Sequence, residues 1–159
     1  MSVVKIGEVD IQKCRNELES FDLNHQQIPL QGRSVDDTDG ATGKMSDLGA
    51  PEQYYTEFLH QQCPYINNII KKYDMVRTRI MSLKQYSCYS YHQDGSARIH
   101  IPISTDHGCF IIINKIVYEL PADGSVYMVD TTEFHTAING SYTPNFIRTH
   151  IVGAYHGVE

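Results

Sequence analysis

The stretch YHQDGSARIHIPI, residues 91–103, decides how the chain must be read. From Ala97 it alternates, with Arg98 and His100 on one side and Ile99, Ile101 and Ile103 on the other, the two-residue period of a β-strand. A half-buried strand ordinarily turns its apolar side to the core and its polar side to water. Just upstream, His92 and Asp94 are also two apart. On a strand that spacing points an imidazole and a carboxylate the same way, about 7 Å apart at their Cα atoms, so that both reach one ion. If the polar side of this stretch faces inward, the protein has a site.

The period of two continues on both sides of it. MVRTRIMSL (75–83), SCYSYHQD (87–94), ARIHIPIST (97–105), CFIIIN (109–114), KIVYEL (115–120), SVYMVD (125–130), HTAIN (135–139) and NFIRTHIVGAY (145–155) are short runs, several of them parted by the turn sequences DHG, NK, PADG and GSYTPN. Eight regularly spaced strands without intervening helices describe a mainly β double-sheet roll or barrel rather than a βαβ fold. The N-terminal half reads differently. DIQKCRNELESF (10–21) places Ile11, Cys14, Leu18 and Phe21 on one helical face behind Asp10 as N-cap. Residues 31–53, rich in Gly, Asp, Ser and Thr, read as a long loop, either disordered or a functional lid. From 50 to 73, Tyr54, Phe58, Leu59, Ile66, Ile69 and Ile70 return to helical spacing, and Pro64 is expected to split that stretch into two helices. The expectation is a single domain over residues 1–159, with a helical and loop cover over 1–74 and a β core over 75–156.

Composition narrows the functional classes. A net charge of -6 repels phosphate backbones within a screening length of about 10 Å, so nucleic acid is a disfavoured partner. No apolar run approaches a membrane span, and MSVVKIGEVDIQK lacks a secretory signal pattern. Cys14, Cys63, Cys88 and Cys109 form no paired motif and are expected to be reduced and mostly packed, which implies a cytoplasmic setting.

His92 and Asp94 need a third ligand, and His135, in DTTEFHTAINGS after a predicted strand, is the clearest candidate. Two histidines and one carboxylate leave part of an octahedral ferrous ion open, the pattern of non-haem iron oxygenases. Taken alone, H-x-D is weak and is also satisfied by a hydrogen-bonded loop pair. Arg148, thirteen residues beyond His135, shares a strand face with His150, and Arg98 shares one with His100. A buried guanidinium needs an anion and matches a carboxylate with two parallel hydrogen bonds. The competing expectation is that Arg98 and Arg148 lie on edge strands, paired with Asp or Glu at the surface.

RIMSLKQYSCYSYHQDGSARIHIPIST together with GSVYMVDTTEFHTAINGSYTPNFIRTHIVGAY resembles the aspartyl/asparaginyl β-hydroxylase family of Fe(II)- and 2-oxoglutarate-dependent dioxygenases, which includes proline cis-hydroxylases. The ordered set H-x-D, R-x-H-x-P, a later Asp and His, Asn139 and R-x-H carries the resemblance over residues 76–155. It implies a double-stranded β-helix, a cupin-like jelly roll, with the N-terminal helices packed on one sheet. It also implies that His92, Asp94 and His135 bind iron, that Arg148 grips the distal carboxylate of 2-oxoglutarate, and that Arg98 and His100 line the cosubstrate site. The implied reaction consumes dioxygen and 2-oxoglutarate, yields succinate and carbon dioxide, and hydroxylates a C–H bond of a free or peptidyl amino acid. The interval from His135 to Arg148 is longer than is usual in the family, GSYTPN adding a turn. Alternative expectations are a dioxygenase of another small metabolite and a non-catalytic cupin-like binding module. Inward-facing arginines favour an enzyme over a binding module.

The remaining polar residues read more plainly. His25, His60, His107 and His156 are expected at the surface or at caps. Tyr86, Tyr89 and Tyr91 read chiefly as packing, with Tyr89 or Tyr91 as possible pocket residues. Arg77 and Arg79 share one face of a strand, which is either solvated or holds a substrate carboxylate.

Overall fold

Isoleucines alternating with Arg98 and His100 demand two unlike environments, one on each side of a strand. Both are present in the computed structural model, which describes residues 2–157. In chain order the elements are β1 (Val3–Glu8), α1 (Ile11–Leu18), β2 (Gln27–Pro29), β3 (Gln31–Gly32), β4 (Glu57–Phe58), α2 (Pro64–Lys72), β5 (Met75–Leu83), β6 (Ser87–Cys88), β7 (Ala97–Ser104), β8 (Cys109–Ile113), β9 (Ile116–Tyr118), β10 (Ser125–Val129), β11 (His135–Asn139) and β12 (Arg148–Tyr155). A six-stranded antiparallel sheet, ordered β1-β10-β7-β12-β5-β2, faces a four-stranded one, β6-β11-β8-β9. The fold is mainly β and jelly-roll-like. No described helix is long and apolar enough to cross a membrane.

The large sheet separates two interiors. Its outer face presents Ile80, Ile99, Ile101, Ile103, Val126 and Ile151 to Cys14 and Leu18 of α1 and to Ile66, Ile69 and Ile70 of α2. Burying each such aliphatic side chain contributes about 1.5–3 kcal/mol. Asp10 caps α1 as expected, accepting from Gln12 and Lys13 N–H at 3.1 and 3.2 Å. Pro64 opens α2, where a missing N–H is harmless, and the Glu17 carboxylate reaches over from α1 to accept Tyr65 N–H and Ile66 N–H, both at 2.8 Å. Between the sheets, Leu83, Ile111, Ile113, Val129 and Ala137 fill one end. The other end is lined with charge.

Several expectations require correction. Residues 50–63 are not helical. A 3₁₀ turn at Glu52–Tyr54 and the short β4, paired with β3, replace the expected helix. Pro51 precedes the turn, Tyr55 is fully buried, and the Tyr55 carbonyl accepts the Arg77 N–H at 2.9 Å, so tertiary pairing overrides the local spacing. The expected strand 87–94 shrinks to β6 and one isolated bridge, His92 with His135. The N-terminal half also supplies strands to the main sheet: β1 pairs with β10 and β2 with β5, so the boundary expected at residue 75 is no seam. β7 and β12 lie inside the sheet, which removes the edge-strand reading of Arg98 and Arg148. Free thiols at Cys14, Cys63 and Cys109 are buried as expected, whereas Cys88 is exposed.

Two strands of the large sheet are irregular, and one irregularity carries a cavity-lining arginine. Opposite Val152 and Ala154 of β12, β5 carries one residue too many, a bulge in which Arg77 adopts φ 49°. Gly153 lies against it, where a Cβ would stand 2.7 Å from Thr78 Oγ1 and 2.9 Å from Met75 Cβ. β7 slips by one residue against β12 beside Pro102, a place where its missing N–H breaks no regular ladder.

Candidate metal centre and its cavity

His92 and His135 are held by backbone pairing before their side chains do anything. The N–H of His92 donates to the His135 carbonyl at 3.0 Å, and the N–H of His135 returns to the His92 carbonyl at 2.9 Å. The two rings then lie 4.4 Å apart between centroids. Asp94 is fixed by its N–H to the Thr131 carbonyl at 2.8 Å, and its carboxylate sits between the rings, 3.4 Å from each Nε2. The three donor atoms all fall within 4.8 Å of one another.

Each imidazole is also set in the tautomer a metal requires. His92 Nδ1 lies 2.7 Å from the Ser90 carbonyl and His135 Nδ1 lies 2.9 Å from that of Glu133. A carbonyl can only accept, so Nδ1 carries a proton, and in the neutral ring the lone pair left for a metal is on Nε2. Burial opposes the charge on Asp94, but contact with His135 and the Arg98 charge outweigh it and hold the carboxyl below the usual carboxylate range. Lone pairs on two imidazoles and an ionised carboxylate converging on one point fit a divalent ion.

The cluster opens into a cavity of about 820 Å³ between the sheets, lined among others by Arg77, Arg79, Arg98, His100 and Arg148. The six expected site residues therefore share one space, in two groups. His92, Asp94 and His135 come from the loop after β6 and the start of β11, while Arg98, His100 and Arg148 stand on the inner face of β7 and β12. GSYTPN does not displace Arg148. Buried Asn139 donates to the Leu83 and Phe146 carbonyls at 2.9 and 3.0 Å, and Asp106 accepts from Ser141 and Thr143 at 2.6 and 2.7 Å, so the extra turn is pinned outside the sheet.

The basic groups differ in what they already hold. Arg98 donates to Glu52 Oε1 at 3.0 Å and to Ser96 Oγ at 2.6 Å, and its Nε lies 3.5 Å from Asp94. Arg148 is buried with no carboxylate within ion-pair distance among the described residues, and burial lowers it to about 10. It donates to His150 Nδ1 at 3.1 Å. That nitrogen is therefore unprotonated, so the 3.0 Å contact between the Nδ1 atoms of His100 and His150 takes its proton from His100. Burial, with the charge of Arg148, keeps both rings well below the ordinary histidine value and hence neutral.

Arg77 and Arg79 are buried, which settles against a solvated face. Arg79 donates to Gln27 at 2.9 Å while its Nε has no partner, and burial together with the Arg77 and Arg98 charges lowers it to about 9. Arg77 is tied to the segment read as loop or lid, donating to the Ala41 and Gly43 carbonyls at 2.9 and 2.8 Å. Residues 43–47 of that segment line the cavity, so it is an ordered cover.

Two further participants had no distinguishing signal. Glu52 lies in a polar stretch and reads as solvated, yet it is buried; only a count of inward arginines would have demanded a carboxylate there. His156, expected at the surface, makes a 2.8 Å contact with Glu52. Tyr89 lines the cavity with its hydroxyl sealed and unpartnered, so its pocket reading holds alongside packing.

The family model for aspartyl/asparaginyl beta-hydroxylase matches residues 8–148, a span running from the end of β1 to Arg148. Comparison with individual curated proteins gives no match.

Proposed function

Proceeding from the chain's membership of the aspartyl/asparaginyl β-hydroxylase family, a family of hydroxylases, we propose that it is an Fe(II)- and 2-oxoglutarate-dependent dioxygenase acting on a C–H bond of an amino acid, free or within a peptide. The observation that carries this reading is the convergence of His92, Asp94 and His135, with both Nδ1 atoms turned to carbonyls and both Nε2 atoms facing the carboxylate, beside a buried Arg148 that has no counter-ion among the described residues. His92, Asp94 and His135 would hold the metal. When bound, Fe(II) supplies dioxygen activation, coupled to conversion of 2-oxoglutarate into succinate and carbon dioxide, with one oxygen atom entering the substrate as hydroxyl.

The protein's own part is placement. Arg148 would grip the distal carboxylate of 2-oxoglutarate in the low-dielectric interior, where a charge-assisted pair is strong. Tyr89 adds a hydroxyl that has no other partner. His100 would line the same seat as a neutral ring, contributing no charge. Arg98 stands between Asp94 and Glu52 and orients the carboxylate ligand. Arg79, which lines the cavity, would take a substrate carboxylate, and the cover over residues 41–52, tied down by Arg77, would limit the entry of water. The acidic net charge supports a small-molecule or peptide substrate over nucleic acid, and the free thiols support a cytoplasmic setting.

Purified protein incubated with Fe(II) and labelled 2-oxoglutarate is expected to release succinate without added substrate, by uncoupled turnover, and a His92→Ala variant is not. Equal release from the two would leave a ligand-binding roll rather than an oxygenase.

A further inference from the structure

Four guanidinium groups, on Arg77, Arg79, Arg98 and Arg148, line the cavity with two carboxylates, Asp94 and the exposed Asp47; a third carboxylate, Glu52, is not itself in the lining but pairs with Arg77 and Arg98. Asp94 belongs to the metal cluster. Glu52 belongs to neither sheet; it enters from the cover, at the 3₁₀ turn Glu52–Tyr54. Its Oε1 accepts Arg98 at 3.0 Å and Ser96 at 2.8 Å and meets His156 Nε2 at 2.8 Å, while Oε2 lies 3.5 Å from Arg77 with no hydrogen bond of its own. Donors from β5, β7 and the chain beyond β12 therefore converge on one carboxylate position. That is the construction of an anion site.

We infer that Glu52 is a built-in carboxylate occupying an anion seat between Arg77 and Arg98, so that outside anions entering the cavity are left with Arg79 and Arg148. The donors are also held by groups other than Glu52: Arg98 donates to Ser96 Oγ at 2.6 Å, and Arg77 is anchored to the Ala41 and Gly43 carbonyls. A substrate carboxylate can reach it only by expelling Glu52. Glu52 is thus a specificity-determining residue. It admits one external anion at Arg79 and one at Arg148 and rejects ligands that need a third. Arg98, held between Glu52 and Asp94, is reserved for positioning. The inference concerns the seat alone and stands apart from the reaction proposed above.

Formate is a carboxylate small enough to replace the one removed in Glu52→Ala. That variant is expected to melt below wild type and to regain about 3 °C or more, saturably, with sodium formate, but not with formamide or with sodium chloride at equal ionic strength. Wild type and Glu52→Gln keep Arg79 and Arg148 open to formate but have the seat filled, so their gain is expected to be smaller, and the gain of Glu52→Ala beyond theirs is the readout. Glu52→Gln, which fills the seat without charge, is expected to melt low and to lack that extra gain. A folded Glu52→Ala whose gain does not exceed that of wild type and of Glu52→Gln overturns the inference. If Glu52→Ala does not fold unaided, refolding yield replaces melting temperature, and a yield indifferent to formate overturns it equally.

Discussion

Arg148 and Tyr89 make a sharp case for reading buried polar atoms as unfinished bonds. A guanidinium without a carboxylate and a buried hydroxyl without a partner, both among the described residues, are unfavourable unless something comes to meet them. If 2-oxoglutarate binds as proposed, Tyr89→Phe is expected to raise its KM about 5-fold, the worth of about 1 kcal/mol, while kcat stays close to wild type, as steady-state kinetics would show. A second residue-level expectation concerns acid. Glu52 ionises at about 2 in the folded chain against 4.5 ordinarily, because the Arg98 pair and its hydrogen bonds outweigh the burial that opposes them. The folded carboxylate binds its proton less readily than the unfolded one, so its contribution is complete above pH 4.5 and fades as pH falls toward 2. His100 and His150, held below 6.5, add a loss of the same sign that begins below that pH. Urea midpoints measured from neutral pH down to about 2 should decline in two stages, and Glu52→Gln should flatten the lower one.

Strands were easier to read than the segments that cover them. The alternation of β7 and β12 states which residues lie on which side, and with helices on one face and a cavity on the other both sides are buried, so the period of two survives in the sequence. Nothing comparable marks residues 50–63, where Tyr55 is buried by contact with β5 and Tyr54, its neighbour, is exposed. β3 and β4 are two residues each and have no period to detect. β1 turns four of its six residues outward as a sheet edge, Val4 and Ile6 among them, so its apolar residues mark no buried face. The bulge in β5 was equally invisible, because an arginine in the left-handed region leaves no mark in a sequence. Gly153→Ala tests it: crowding against Met75 and Thr78 is expected to destabilise the protein by about 1–3 kcal/mol in urea unfolding and, by shifting Arg77, to loosen the cover toward limited proteolysis.

For the molecule as a whole, the chain order of H-x-D, R-x-H and R-x-H was enough to anticipate one shared cavity, because antiparallel strands bring distant segments side by side. The counter-charges were not anticipated. Glu52 lies forty residues before His92 and reaches the site through a segment whose only regularity is its polarity. If the metal cluster has the role proposed, adding Mn(II) as a redox-stable stand-in should raise the melting temperature of wild type but not of His135→Ala, and a chelator should reverse the gain. The reciprocal backbone bonds between His92 and His135 carry one more consequence. On the proposed reading, spacing between the two imidazoles is set by main-chain pairing rather than by an ion, so a protein stripped of its metal would be reloaded in place, without first rebuilding its fold.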